Sequence, residues 1–83
     1  MTFYNIKKII DKWDPLGLLD TAPSDEYDYE TEQIFNFIKN TDNKEIAVLA
    51  NKIMKVFLFF FEDAFRNSYD ECLSVAKEIL LIK

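Results

Sequence analysis

The side chains best able to do chemistry in this chain are carboxylates, and they are crowded. Asp25, Glu26, Asp28, Glu30 and Glu32 all fall between positions 25 and 32. Such a run offers oxygen ligands to a hard cation. A close pair of acids can also do acid–base work if burial raises the pKa of one of them. Neither use is expected here. A calcium loop places a glycine at its sixth position and a glutamate at its twelfth, and the single glycine, Gly17, lies outside the run. Helical di-iron sites use Glu-x-x-His, and the chain has no histidine. Zinc takes His or Cys, and Cys72 is the only cysteine. The expectation is therefore no metal and no cofactor. Histidine-dependent nucleophilic sets are excluded, as is a glycine-rich phosphate loop. Cys72 sits beside Asp70 and Glu71 with no base to hold a thiolate, so it reads as a small core residue and cannot form an intramolecular disulfide. The expectation is a protein that is not an enzyme.

The charge is unevenly placed. From Trp13 to Ile38 there are seven acids and no Lys or Arg, so that stretch carries −7; the remaining eight acids and ten bases carry +2, which gives the net −5. A net negative chain without a basic patch argues against nucleic acid. Lys7, Lys8 and Lys12 form only a small cluster, read as a solvated helix face. The longest apolar run, Val56 to Phe61, is six residues, and a membrane span needs about twenty. The start MTFYNIKKII has no basic segment ahead of its apolar one, so no signal peptide is expected and the location is expected to be cytoplasmic.

The elements that must position these residues are helices. Hydrophobic residues make up 49% of the chain, and one Gly with two Pro leave little for the turns of a β fold. Thr2 can cap a first helix carrying Phe3, Ile6, Ile9, Ile10 and Trp13 on one stripe. Asp14-Pro15 should end it, because the residue before proline is pushed out of the α region. Leu16, Leu18 and Leu19 form a Leu-rich loop that should fold back onto the helices. A second helix is expected to start at Ser24 or Asp25 and to carry Tyr27, Ile34 and Ile38 on one face. A third is expected from about 43 into the low sixties, with Asp42 and Glu45 at capping-box spacing. Its stripe is Ile46, Leu49, Ala50, Ile53, Val56, Phe57 and Phe60. It becomes apolar all round near Phe59 to Phe61, which implies burial on several sides or a contact surface. Ser68 and Glu71 form a capping box for a last helix that ends near Lys83. The expected fold is all-α: one domain over 1–83, a compact four-helix bundle or orthogonal helical array with the Leu-rich loop after the first helix.

Trp13-Asp14-Pro15-Leu16, followed by Asp25-Glu26-Tyr27 before a helix, resembles the signature of a small all-helical bacterial family of unknown function. The resemblance implies an all-α fold and supplies no catalytic residues to carry over. In physical terms Trp13 should anchor the loop, and Tyr27 should lie over it with its hydroxyl reaching a polar partner. In size and acidity the chain also resembles the immunity proteins of contact-dependent growth inhibition toxin systems. That likeness implies a basic partner of nuclease type.

A single-sign field repels like surfaces and steers basic partners. Tyr27 and Tyr29 lie within it, and being two apart on a helix they point in different directions. The functional expectation is a non-catalytic binding protein that neutralises a cationic toxin through a strip of Asp20, Asp25, Glu26, Tyr27, Asp28, Tyr29, Glu30 and Glu32. The rival expectation is a small homodimeric structural or regulatory protein that uses the apolar surplus around Phe57, Phe59, Phe60 and Phe61 and the tail Leu81-Ile82.

Overall fold

A computed structural model describes residues 2–19, 25–42 and 44–82. Four helices account for most of it: α1 (Phe3–Trp13), α2 (Asp28–Asn40), α3 (Ile46–Phe61) and α4 (Tyr69–Leu80), with a single 3-10 turn (Glu62–Ala64) after α3. There is no strand among the described residues. Each helix packs on two others. α1 lies on α2 and α4, and α3 lies on α2 and α4, which closes a ring of four and makes the architecture a helical bundle. Tyr29 meets Phe60 while Lys52 covers Phe37, so α2 and α3 run antiparallel.

The local signals explain most of the helix ends. The Thr2 side chain accepts the Asn5 N–H and the Asn5 side chain answers the Thr2 N–H, a reciprocal cap. Ser68 and Glu71 do the same for α4. α1 stops at Trp13 as Pro15 requires, but Asp14 leaves the helix into the left-handed region (φ 45°) rather than into an extended one. Aspartate tolerates that region better than most side chains do.

Two starts differ from expectation. α2 begins at Asp28, with Tyr27 as its cap residue and a turn over 25–27 ahead of it. Burial of Tyr27 against α3 holds that residue short of the helix. α3 begins at Ile46, with Glu45 as its N-cap and no side-chain cap bond, so the Asp42–Glu45 box does not start it. The Ser24 cap and Lys83 lie outside the described residues.

The core is the set of stripes read from the sequence: Ile6 and Ile10; Tyr27, Ile34 and Ile38; Leu49, Ala50, Ile53, Val56 and Phe57; then Cys72, Val75, Ala76 and Ile79. Phe57 is its centre, stacked on Phe61 and Phe65 and met edge-on by Trp13 and Tyr27. Burying a ring of this size contributes about 3 kcal/mol. Cys72 is fully buried, and burial first, then Glu71, pushes its thiol up to about 11. Leu16, Leu18 and Leu19 are half-buried and pack on this core, as the loop reading expected. Ile46 and Phe60 depart from it: both belong to the α3 stripe by spacing, and both are exposed.

Candidate functional site

The acidic stretch divides into residues that build the fold and residues that face outward. Asp14 is the main builder. Its backbone N–H caps α1 on the Ile10 carbonyl at 2.9 Å, and its Oδ1 accepts the Leu18 N–H at 2.9 Å and the Tyr27 hydroxyl at 2.6 Å. The Tyr27 oxygen in turn accepts the Leu16 N–H at 3.1 Å. One carboxylate and one phenol thus hold the Leu-rich loop, and each satisfies the other's buried polar atom. Burial, with the Asp14 carboxylate beside it, raises the Tyr27 phenol to about 12. Trp13 anchors the other side of the loop, donating Nε1–H to Glu71 Oε1 at 3.2 Å. Bonds from Asn67, Trp13 and Ser68 hold the Glu71 carboxyl below its usual range.

The eight residues expected to form a contact strip do not stay together. Asp20 lies outside the described residues. Tyr27 is fully buried and Glu30 is 5% exposed, so neither can meet a partner on the folded surface. Tyr27 serves the loop, and Glu30 lies on the flank of α2 that faces inward. Asp28 is half-buried and paired with Lys7, which also bonds Asp11 at 2.9 Å. Burial opposes the Lys7 charge, but the hydrogen bonds it donates to Asp28 and Asp11 and their negative charges outweigh it and raise its pKa. The basic cluster of α1 is therefore partly a structural ion pair and not wholly a solvated face. What remains outward is Asp25, Tyr29 and Glu32, with Glu26 half-buried beside them. Glu30 is an oddity: its Oε1 is buried with no hydrogen-bond partner. Burial, and then the nearby charges of Glu26 and Asp28, raise its pKa.

Tyr29 does not stand alone. It is 57% exposed, and its ring meets Phe60 edge-on with centroids 4.9 Å apart; Phe60 meets Phe59 in the same way, also at 4.9 Å. Phe59 is 75% exposed, the most open large hydrophobic side chain among the described residues. Leu58 is also exposed next to it. Three exposed rings, with Phe60 touching the other two, form an aromatic platform. Scattered single apolar side chains on a surface are ordinary, whereas a contiguous patch marks a contact site. The platform opens onto a groove of about 370 Å³ between α2 and α3, lined also by Gln33, Lys52 and Lys55. The two lysines were not legible as site residues, because nothing in their spacing ties them to Tyr29. The one signal for the platform was the apolar run around Phe59.

The arrangement offers planar aromatic area with charges at its border, which suits docking of a protein surface. No group of three or more potential metal ligands occurs among the described residues. No helix among them is long and apolar enough to cross a membrane. The model of one protein family, DUF1871, a domain of unknown function, matches residues 5–83. No curated protein and no solved structure matches the chain.

Proposed function

We propose that this chain, which belongs to the DUF1871 family of domains of unknown function, is a non-catalytic protein-binding domain that docks a basic protein partner in the cytoplasm. The observation that carries this reading is the platform of Tyr29, Phe60 and Phe59, in which Phe60 touches both other rings and all three stay exposed. Exposing them costs free energy that a partner would recover on association, and rigid aromatic side chains lose little entropy when they dock. The charge sets the class of partner. Asp25, Glu26 and Glu32 lie on or next to the Tyr29 end of α2, and the chain is −5 overall. A basic surface would be steered there and held by the border charges. An immunity protein that blocks a cationic, nuclease-type toxin is the most specific form of this function, and it rests on the charge.

The test is capture from a lysate of the host with tagged protein as bait. The control is the triple reversal Asp25→Lys, Glu26→Lys, Glu32→Lys, which leaves the buried Glu30 and the paired Asp28 alone. A basic protein held by the wild type and lost by the control is the expected result. A nuclease among the proteins lost would support the immunity form. Identical capture by both baits would remove the acidic border from the function.

A further inference from the structure

We propose that in the free protein the platform of Tyr29, Phe59 and Phe60 is covered by a second copy of the same chain, so that the domain is a twofold dimer until a basic partner displaces one protomer. This rests on the reading of the platform as a docking surface, but not on the identity of the partner.

The argument is the order of charges along the face. Lys52, Lys55 and Phe59 are three and four residues apart, so they form one row along α3. On the far side of the rings the sign changes. Asp25 and Glu26 precede Tyr29, and Glu62 and Asp63 follow Phe60 at the end of α3. The sequence along the face is base, aromatic, acid. Four residues separate Phe59 from Lys55 on one side and from Asp63 on the other, with about 6 Å of helix in the first case.

A surface of that order is complementary to itself. Rotation by half a turn about an axis through the rings sets the lysines of one protomer over the acids of the other, twice, while ring meets ring at the centre. This is the isologous arrangement of a twofold interface. Among the described residues, the side chains of Lys55, Asp25, Glu62 and Asp63 have no ion-pair partner within their own chain, so their charges remain available. Arg66 is the one base at the acid end, and it is turned to the Asp63 carbonyl at 3.3 Å. The dimer and the basic partner compete, because both need Tyr29 and the acid end.

Sedimentation equilibrium of the full chain over a concentration series at low salt tests this. The wild type is expected to approach twice its 9.8 kDa mass. Phe59→Glu and Lys55→Glu should each weaken self-association at least tenfold, with circular dichroism confirming that the helices persist. The double variant Lys55→Glu, Asp63→Lys exchanges the signs across the axis and should recover most of the loss. A monomer at every concentration overturns the proposal, and so does a dimer indifferent to Phe59→Glu. The two readings fail separately. Lys55→Glu should remove the dimer and leave capture of the basic partner at or above wild-type level. Loss of capture together with the dimer would overturn the assignment of the lysines to self-association alone.

Discussion

Removing one oxygen from Tyr27 is expected to cost more than a surface change would. Tyr27→Phe deletes the donor to Asp14 and the acceptor for the Leu16 N–H; Asp14 keeps the Leu18 N–H, but the part-buried Leu16 N–H loses its partner. The expected loss is about 1–3 kcal/mol in urea unfolding. The same residue sets an alkaline limit. Its pKa is raised from 10.0 to about 12 by folding, so the fold favours the neutral phenol. That contribution is complete below pH 10 and is lost as pH rises from 10 toward 12. The Phe variant should fall less steeply across that window than the wild type, the remaining slope coming from groups such as Cys72 and Lys7 whose pKa values are also raised. Glu30 obeys the same sign in a lower pH window. Its raised pKa means the fold prefers the protonated acid, so stability declines as pH rises above the ordinary value of 4.5. Glu30→Gln should therefore melt higher than wild type at pH 7, and the difference should close in acid. A Glu30→Gln variant less stable than wild type at pH 7 would mean that the buried carboxylate has a partner it needs.

At the scale of helices, the legible features were those set within one turn. The Thr2 and Ser68 caps involve residues three apart, so spacing alone reveals them. The stop at Asp14-Pro15 is steric and equally local. Where the reading failed, distant contacts decided. Tyr27 sits on a helical face by spacing, yet its ring is taken by Phe57 and Phe61 and its hydroxyl by Asp14, so α2 starts one residue after it. The Asp42–Glu45 spacing looked like a cap and was not, since the chain enters α3 through Glu45 in an extended conformation. The all-round apolar end of α3 was legible as unusual. Whether it was core or surface was not, because that depends on how far α2 reaches along it. Trp13 and Tyr27 cover Phe57, and Phe59 is left bare. The helix then breaks at Glu62, whose φ of 48° is a rare conformation for a side chain of that kind. Such strain is tolerated where surrounding structure or function fixes it.

For the molecule as a whole, the punctuation and the negative charge of the stretch from Trp13 to Glu32 have separate causes. Asp14, Pro15 and Gly17 shape a loop whose leucines pack on the core, whereas Asp25, Glu26 and Glu32 flank Tyr29 in sequence at the start of α2. A strip of eight contact residues was therefore too broad: part of it is architecture. The fold could be read because helical periodicity is dense here, and the aromatic platform could not, because it joins α2 to α3 across the groove. Crosslinking in the living host tests that face most directly. A photoreactive phenylalanine analogue replaces Phe59 in one strain and Tyr4, which is also exposed at 60%, in a control strain. Discrete adducts from position 59 but not position 4 are expected: one of twice the chain mass, and one with a basic protein. The absence of adducts at 59, or the same pattern from both positions, would contradict the platform as a docking surface.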